Sequence, residues 1–248
     1  MIRDYLKISL RNIKQRKLRS TLTFLGIVIS VTTIFVLISL SLGLENAVEE
    51  QFRLLGADKI FIQPRGQLAG PGTGGAVQLT ERDVEAVEKI NGVKDLSWSV
   101  ATPAEIKFKD EKRFFTVIGF PLDKAEVFVE SGAYKPDEGR LLEEGDFGKI
   151  MIGSQYKHNS IFKRPIKERD KLEINGKIFD VIGILEPIGN PGDDRLIYMD
   201  FKDFEELFNI KDRIDFIIVQ VNDERIINEV SGRIKKELFD SRNVDEET

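Results

Sequence analysis

The sequence predicts the α+β class: one membrane-spanning helix followed by an outer α/β domain with a β-rich insertion. Three observations predict it. Residues 20–44 carry no charged side chain at all. Residues 1–19 hold seven basic side chains and one acid, whereas residues 45–248 hold 30 basic and 41 acidic ones. Beyond the uncharged run, short apolar stretches punctuated by Gly, Asn and Pro alternate with segments whose apolar residues recur every three or four positions.

The first element is basic. Ile2, Tyr5, Leu6, Leu10 and Ile13 recur at helical spacing, and Arg11, Lys14, Arg16, Lys17 and Arg19 are among the basic residues between and after them. Residues 1–19 are therefore read as an amphipathic helix on the inner membrane surface, its cations near lipid headgroups. The uncharged run, 20–44, follows. Twenty-five residues span about 37 Å as a helix, enough to cross roughly 30 Å of hydrocarbon. A cleaved signal peptide has an apolar stretch of only about 7–15 residues. The basic flank places the N-terminus in the cytoplasm and the acidic remainder outside the cell membrane. Gly26 and Ser30 form one small-x-x-x-small pair, Ser39 and Gly43 another, and Thr33 adds a polar small side chain. Such residues let helices approach closely in lipid, so the span is expected to pack on other helices.

The outer region starts as a continuation of that helix from Glu45 to about Leu55. Lys59–Gln63 reads as a strand stopped by Pro64. Gly66 to Gly75 contains five glycines but no Lys-Ser or Lys-Thr, so it is a flexible loop and not a phosphate cradle. Thr80 and Asp83 make a capping-box start for a helix over 81–90, with Asn91-Gly92 as its stop. Strands are expected at 96–101, 106–108 and 114–119, the last two joined by a hairpin at Asp110-Glu111-Lys112. Residues 120–195 are strand-rich: 150–153, then 171–174 and 177–185 around the hairpin signal Asn175-Gly176, with a short helix near 154–162. A strand at 196–199, a helix at 201–208, a strand at 216–221 and an amphipathic helix at 225–239 complete the chain. The division is thus 1–19, 20–44 continuing to about 55, 56–119, 120–195 and 196–242.

The chemistry is restricted. No Cys is present and there is one His, which excludes thiol nucleophiles, thiolate metal sites and His-pair zinc motifs. A pI near 5.3 argues against nucleic-acid binding. His158 lacks catalytic neighbours in the sequence. Asp193-Asp194 lacks the alternating ligands of a calcium loop. Glu143, Glu144 and Asp146 are read as solvated acids, and Trp98 as a core residue. No catalytic, cofactor or metal residues are assigned, and the chain is not expected to be an enzyme.

Several segments, in order, resemble the first portion of a MacB-type, FtsX-like ABC transporter permease. They are Leu10-Arg-Asn-Ile-Lys14, Lys17-Leu-Arg-Ser-Thr-Leu-Thr-Phe-Leu-Gly-Ile27, Leu55-Gly-Ala57, Leu79-Thr-Glu-Arg-Asp83, Gly92-Val93, Val117-Ile-Gly119, Gly139-Arg140, Ile150-Met-Ile-Gly153, 177–185 and Ile197-Tyr198. The resemblance implies a porter-like α/β domain in two parts, 56–119 and 196–242, interrupted by a sabre-like β-rich part. It also implies a separate ABC ATPase subunit, a second permease copy as homo- or heterodimer, surrounding membrane lipid, and an extracytoplasmic partner or substrate. Members export macrolides, peptides or lipoproteins, or transmit force without transport.

The family has three further spanning helices after this domain, and the sequence has no second apolar run. A fragment of a longer permease or a split gene is the expectation. The alternative function is a membrane-tethered extracytoplasmic binding or adaptor protein without transport.

Overall fold

The first described element is a 39-residue helix, α1 (Lys17–Leu55), and its large apolar side chains between Leu18 and Leu44 are exposed. The computed structural model describes residues 17–55, 58–64, 78–130, 134–158 and 161–241, with the side chains of Lys17 and 46–55 excepted. The amphipathic segment before Lys17 and the Gly66–Gly75 loop lie outside the described residues. The chain divides into two units between Arg53 and Leu54.

The second unit is built on nine strands among the described residues: β1 (Lys59–Ile62), β2 (Val93–Phe108), β3 (Glu111–Phe120), β4 (Pro136–Gly139), β5 (Lys149–Ile152), β6 (Lys171–Ile174), β7 (Lys177–Leu185), β8 (Ile197–Asp200) and β9 (Phe216–Val221). Its helices are α2 (Glu81–Glu88), α3 (Glu126–Glu130), α4 (Phe201–Phe208) and α5 (Ile227–Asp240).

Hydrogen bonding runs β2–β3–β8–β5–β7–β6 and back to β2, closing six strands into a barrel. Strands from 56–119, 120–195 and 196–242 all contribute to it. Closure covers most strand edges of the six, and the barrel encloses Ile106, Val117, Ile150, Leu172, Phe179, Ile197 and their neighbours. β9 and β1 extend the sheet from the other half of β2. On one face of this layer α2 and α5 bury Val84, Val87, Val230 and Ile234 against Leu96, Ile217 and Val219. On the other, Ile218 joins Phe120, Phe128, Met151 and Tyr198. β9 is covered on both faces, which is why Phe216–Val219 reads as a continuous apolar run rather than an alternating one.

Local rules explain most boundaries. Thr80 N–H donates to Asp83 Oδ2 at 2.7 Å, the expected capping half-box at the start of α2. Asn175 and Gly176 both have positive φ, 47° and 89°, as a type I′ hairpin requires. Asp200 caps α4 by accepting from Lys202 N–H at 2.6 Å.

Three elements differ from the sequence expectation. The two strands expected at 96–101 and 106–108 are one, β2. Backbone groups of Ala101, Pro103 and Glu105 face the same edge, and among the described residues no strand pairs there between β9 and β6, so the missing Pro103 N–H leaves no ladder bond unmade. The helix expected near 154–162 is one 3₁₀ turn, Ser154–Lys157, because Ile166 N–H, not a residue one turn on, donates to the Tyr156 carbonyl at 2.9 Å. The last helix opens with a 3₁₀ turn, Glu224–Ile226, capped by Asp223.

Gly119 of β3 lies under α4: a Cβ there would sit 2.5 Å from Phe204 Cβ. Gly119→Ala should destabilise the outer domain by about 1–3 kcal/mol through overpacking. Urea unfolding followed by Trp98 fluorescence measures this, with a lower midpoint and unchanged slope expected.

Candidate functional site

Two features stand out: the apolar helix and an ion-paired corner of the outer domain.

Leu18–Glu45 of α1 is 28 residues long and none of its most apolar window is buried within the chain. At about 100° per residue, Gly26, Ser30 and Thr33 share one face, while Ser39 and Gly43 lie about 130° round the helix from it and nearer its C-terminal end. The expected packing residues therefore form two stripes, not one. Ser30 Oγ donates to the Gly26 carbonyl at 2.8 Å and Thr33 Oγ1 to Ile29 at 2.8 Å. Thr23 Oγ1 donates to Arg19 at 3.0 Å. These hydroxyls are satisfied inside their own helix, so what they offer a neighbouring helix is small size. A side chain added at Gly26 or Gly43 would meet nothing within 4 Å. Of the basic residues, Arg19 is exposed, Lys17 begins the helix, and Arg11, Lys14 and Arg16 lie outside the described residues.

The corner connects β4 to β5. Gly139 has φ 75°, and a Cβ there would overlap the Ile182 carbonyl. Arg140 then grips Asp146 with two bonds, 2.5 and 2.8 Å. Lys149 reaches the same carboxylate at 2.7 Å, and Glu143 N–H donates to it at 3.0 Å. The Arg140 guanidinium, with Lys149 and the amide, holds the Asp146 carboxyl well below the usual carboxylate range even though burial opposes ionisation. Next to it, Gly148 N–H donates to Asp203 of α4 at 2.6 Å. Asp146 is thus a staple and not the solvated acid expected from the sequence; Glu143 and Glu144 are exposed.

The same holds for every buried Asp among the described residues. Asp83, Asp146, Asp194, Asp200, Asp203 and Asp215 each accept a bond from a backbone N–H. None is placed as an acid–base pair. No group of three or more metal-ligating residues occurs among the described residues. His158 is exposed. Asp193 and Asp194 form a polar turn, with Asp194 accepting from Ile188 N–H at 2.8 Å. Trp98 packs between two apolar clusters, edge-on to Phe201. An open groove of about 590 Å³ between α2 and α5 is lined by charges of both signs, Arg82, Glu85, Lys236 and Glu237 among them.

A long unburied helix leading into this barrel-and-layer domain matches one known pattern. The family model described as MacB-like periplasmic core domain matches residues 20–237. The chain belongs to that family. An uncharacterized ABC transporter permease of Methanocaldococcus jannaschii is 36% identical over 236 residues, covering 95% of this chain and 58% of the relative. The macrolide export ATP-binding/permease protein MacB of Brucella melitensis is 25% identical, covering 100% and 38%. The chain therefore spans only part of the curated relatives it matches. Among solved structures, the periplasmic region of MacB from Actinobacillus actinomycetemcomitans superposes with a TM-score of 0.61 at 16% identity, covering 77% of this chain and 87% of that one. The extracellular domain of the transporter YknZ gives 0.58 at 18%, covering 76% and 96%. This is a MacB-like, ABC-permease-type chain: an apolar helix followed by a domain of the MacB-like periplasmic core family.

Sequence reasoning missed the Arg140–Asp146–Lys149 corner. The available signal was Gly139-Arg140 followed six residues later by an acid. Asp146→Asn should cost about 1.5–3 kcal/mol at neutral pH, the range for hydrogen bonds to charged groups. The folded pKa of Asp146 lies below its unfolded value of about 3.9, so its stabilisation is complete above about pH 5 and is lost as pH falls further. A pH series of unfolding curves should show the variant and parent converging in acid.

Proposed function

We propose that this chain is the first span and outer domain of a permease subunit of an ABC transporter of the macrolide, peptide or lipoprotein exporter type, and that it transmits ATP-driven movement from the cytoplasm to the outer domain. The observation that carries the reading is the continuity of α1. The apolar part ends near Glu45, yet the helix runs unbroken to Leu55, and β1 begins at Lys59. A helix of this length is about 58 Å of hydrogen-bonded rod. Displacement of its inner end meets no break in the helix between Lys17 and Leu55.

The reading places the basic residues, Arg19 included, on the cytoplasmic side in the cell membrane. It assigns ATP hydrolysis to a separate ABC ATPase subunit or domain. It adds a second permease copy packed through the span, lipid around the rest of α1, and an extracytoplasmic partner or substrate met by the outer domain. The porter-like parts, 56–119 and 196–242, and the sabre-like part, 120–195, are its working divisions.

The Cys-free chain makes topology simple to test. On intact cells an impermeant maleimide should label Ile178→Cys at once and Arg19→Cys only after permeabilisation; the reverse pattern overturns the orientation. Affinity purification of the full-length permease in mild detergent should bring down an ABC ATPase and a second permease copy. Recovery of neither overturns coupling and favours the tethered adaptor. In that purification Gly26→Leu or Ser30→Leu should lower recovery of the second copy about fivefold, equivalent to roughly 1 kcal/mol. Ser30→Ala should leave it within about twofold, because the lost hydroxyl was bonded within its own helix.

A further inference from the structure

The outer domain has a built-in pivot. β2 pairs with β9 over Val93–Ser99 and with β3 over Val100–Phe108. At Ser99–Val100 it exchanges one partner for the other. β6 joins its remaining edge only at Ile106. Between those points the edge of β2 that faced β9 has no strand beside it among the described residues, and Pro103 lies in the middle of that gap. The α/β layer (β1, β9, the first half of β2, α2 and α5) and the barrel therefore share one strand whose bridging stretch is paired with a strand on one side only among the described residues.

A charged clasp sits at the start of the gap. Arg213 donates to Asp215 through Nε at 3.0 Å and Nη2 at 2.9 Å. The same carboxylate accepts from Ala101 N–H at 2.9 Å, and the same guanidinium donates to the Ala101 carbonyl at 3.2 Å. Asp215 N–H donates to the Ser99 carbonyl at 3.0 Å. Asp215 is 3% exposed, and both partners lie just before β9. At the far end of the gap, Asn175 exchanges two bonds with Glu105, at 3.0 Å each. Beside the exchange point, Ser97 Oγ and Trp98 Nε1 are buried without a partner among the described residues. Side chains thus take over the backbone of β2 where strand pairing stops, and the packing there is not fully satisfied.

We propose that Arg213 and Asp215 form a latch that sets the angle between the α/β layer and the barrel, and that opening it lets the two parts rotate about Ser99–Glu105. The latch is a property of the outer domain alone. It stands or falls independently of whether the chain couples to an ATPase. Removing one partner leaves a buried charge or an unpaired amide, so the closed form loses its advantage while the shared strand and the Phe120–Tyr198–Ile218 cluster still hold the parts together.

The test uses spin labels on the whole chain in lipid nanodiscs. One pair, Phe114→Cys on the barrel and Lys236→Cys on α5, spans the pivot. A control pair, Phe114→Cys and Ile178→Cys, lies within the barrel; Phe114 is 71% and Ile178 61% exposed. With the latch intact the spanning pair should give one narrow distance distribution. In Arg213→Lys and in Asp215→Asn that distribution should at least double in width or split, while the control distribution stays unchanged. An unchanged spanning distribution in both variants overturns the latch. Broadening of the control pair to the same extent also overturns it, since the effect would then be general loosening. Amide exchange provides a second reading: Ala101 should exchange at least tenfold faster in either variant, with β6–β7 amides unaffected, and equal acceleration at both places counts against the proposal.

Discussion

Strand β2 is the constraint on which the outer domain rests. Its 16 residues give seven positions to the β9 side and nine to β3, and no other strand belongs to both the barrel and the α/β layer. Hydrogen bonding is directional, so a strand that changes partners must leave amides and carbonyls facing a gap. Each buried group there needs a substitute partner. The side chains of Asp215, Arg213 and Asn175 supply those substitutes, and Pro103 avoids needing one. The barrel closes around its own core because β6 returns to β2 beyond the gap.

The same rule governs the buried carboxylates. Aspartate is short and places its oxygens close to the main chain, so it suits turns, caps and corners where an amide lacks a strand or helix partner. Asp83 and Asp200 start helices, Asp146 and Asp203 hold the β4–β5 corner, and Asp194 closes a turn. An acid–base site needs carboxyl groups with free oxygens aimed at common space. These six are instead turned towards the backbone.

The helix meets the opposite solvent. In hydrocarbon no water is present to satisfy a hydroxyl, and Ser30, Thr33 and Thr23 bond to their own carbonyls one turn back. Small residues lie on two sides of the helix, one group towards each end.

The uncharged run, the charge step across it and the periodic segments were legible from residue order, because they follow from transfer free energy and helix or strand period. The capping pair at Thr80 and Asp83, the Asn175-Gly176 turn and the ranges of α4 and β9 depend only on neighbours in the chain, and they were readable for the same reason. The merging of two expected strands into β2 was not, since whether Pro103 breaks a strand depends on what lies beside it in space. The Arg140 corner, the Arg213–Asp215 clasp and barrel closure likewise depend on partners up to 114 residues apart. Sequence by itself determined which segments are apolar and most of those that are helical or extended; tertiary structure alone decided which strand edges meet and which acids are buried, because pairing and burial are properties of three-dimensional neighbours.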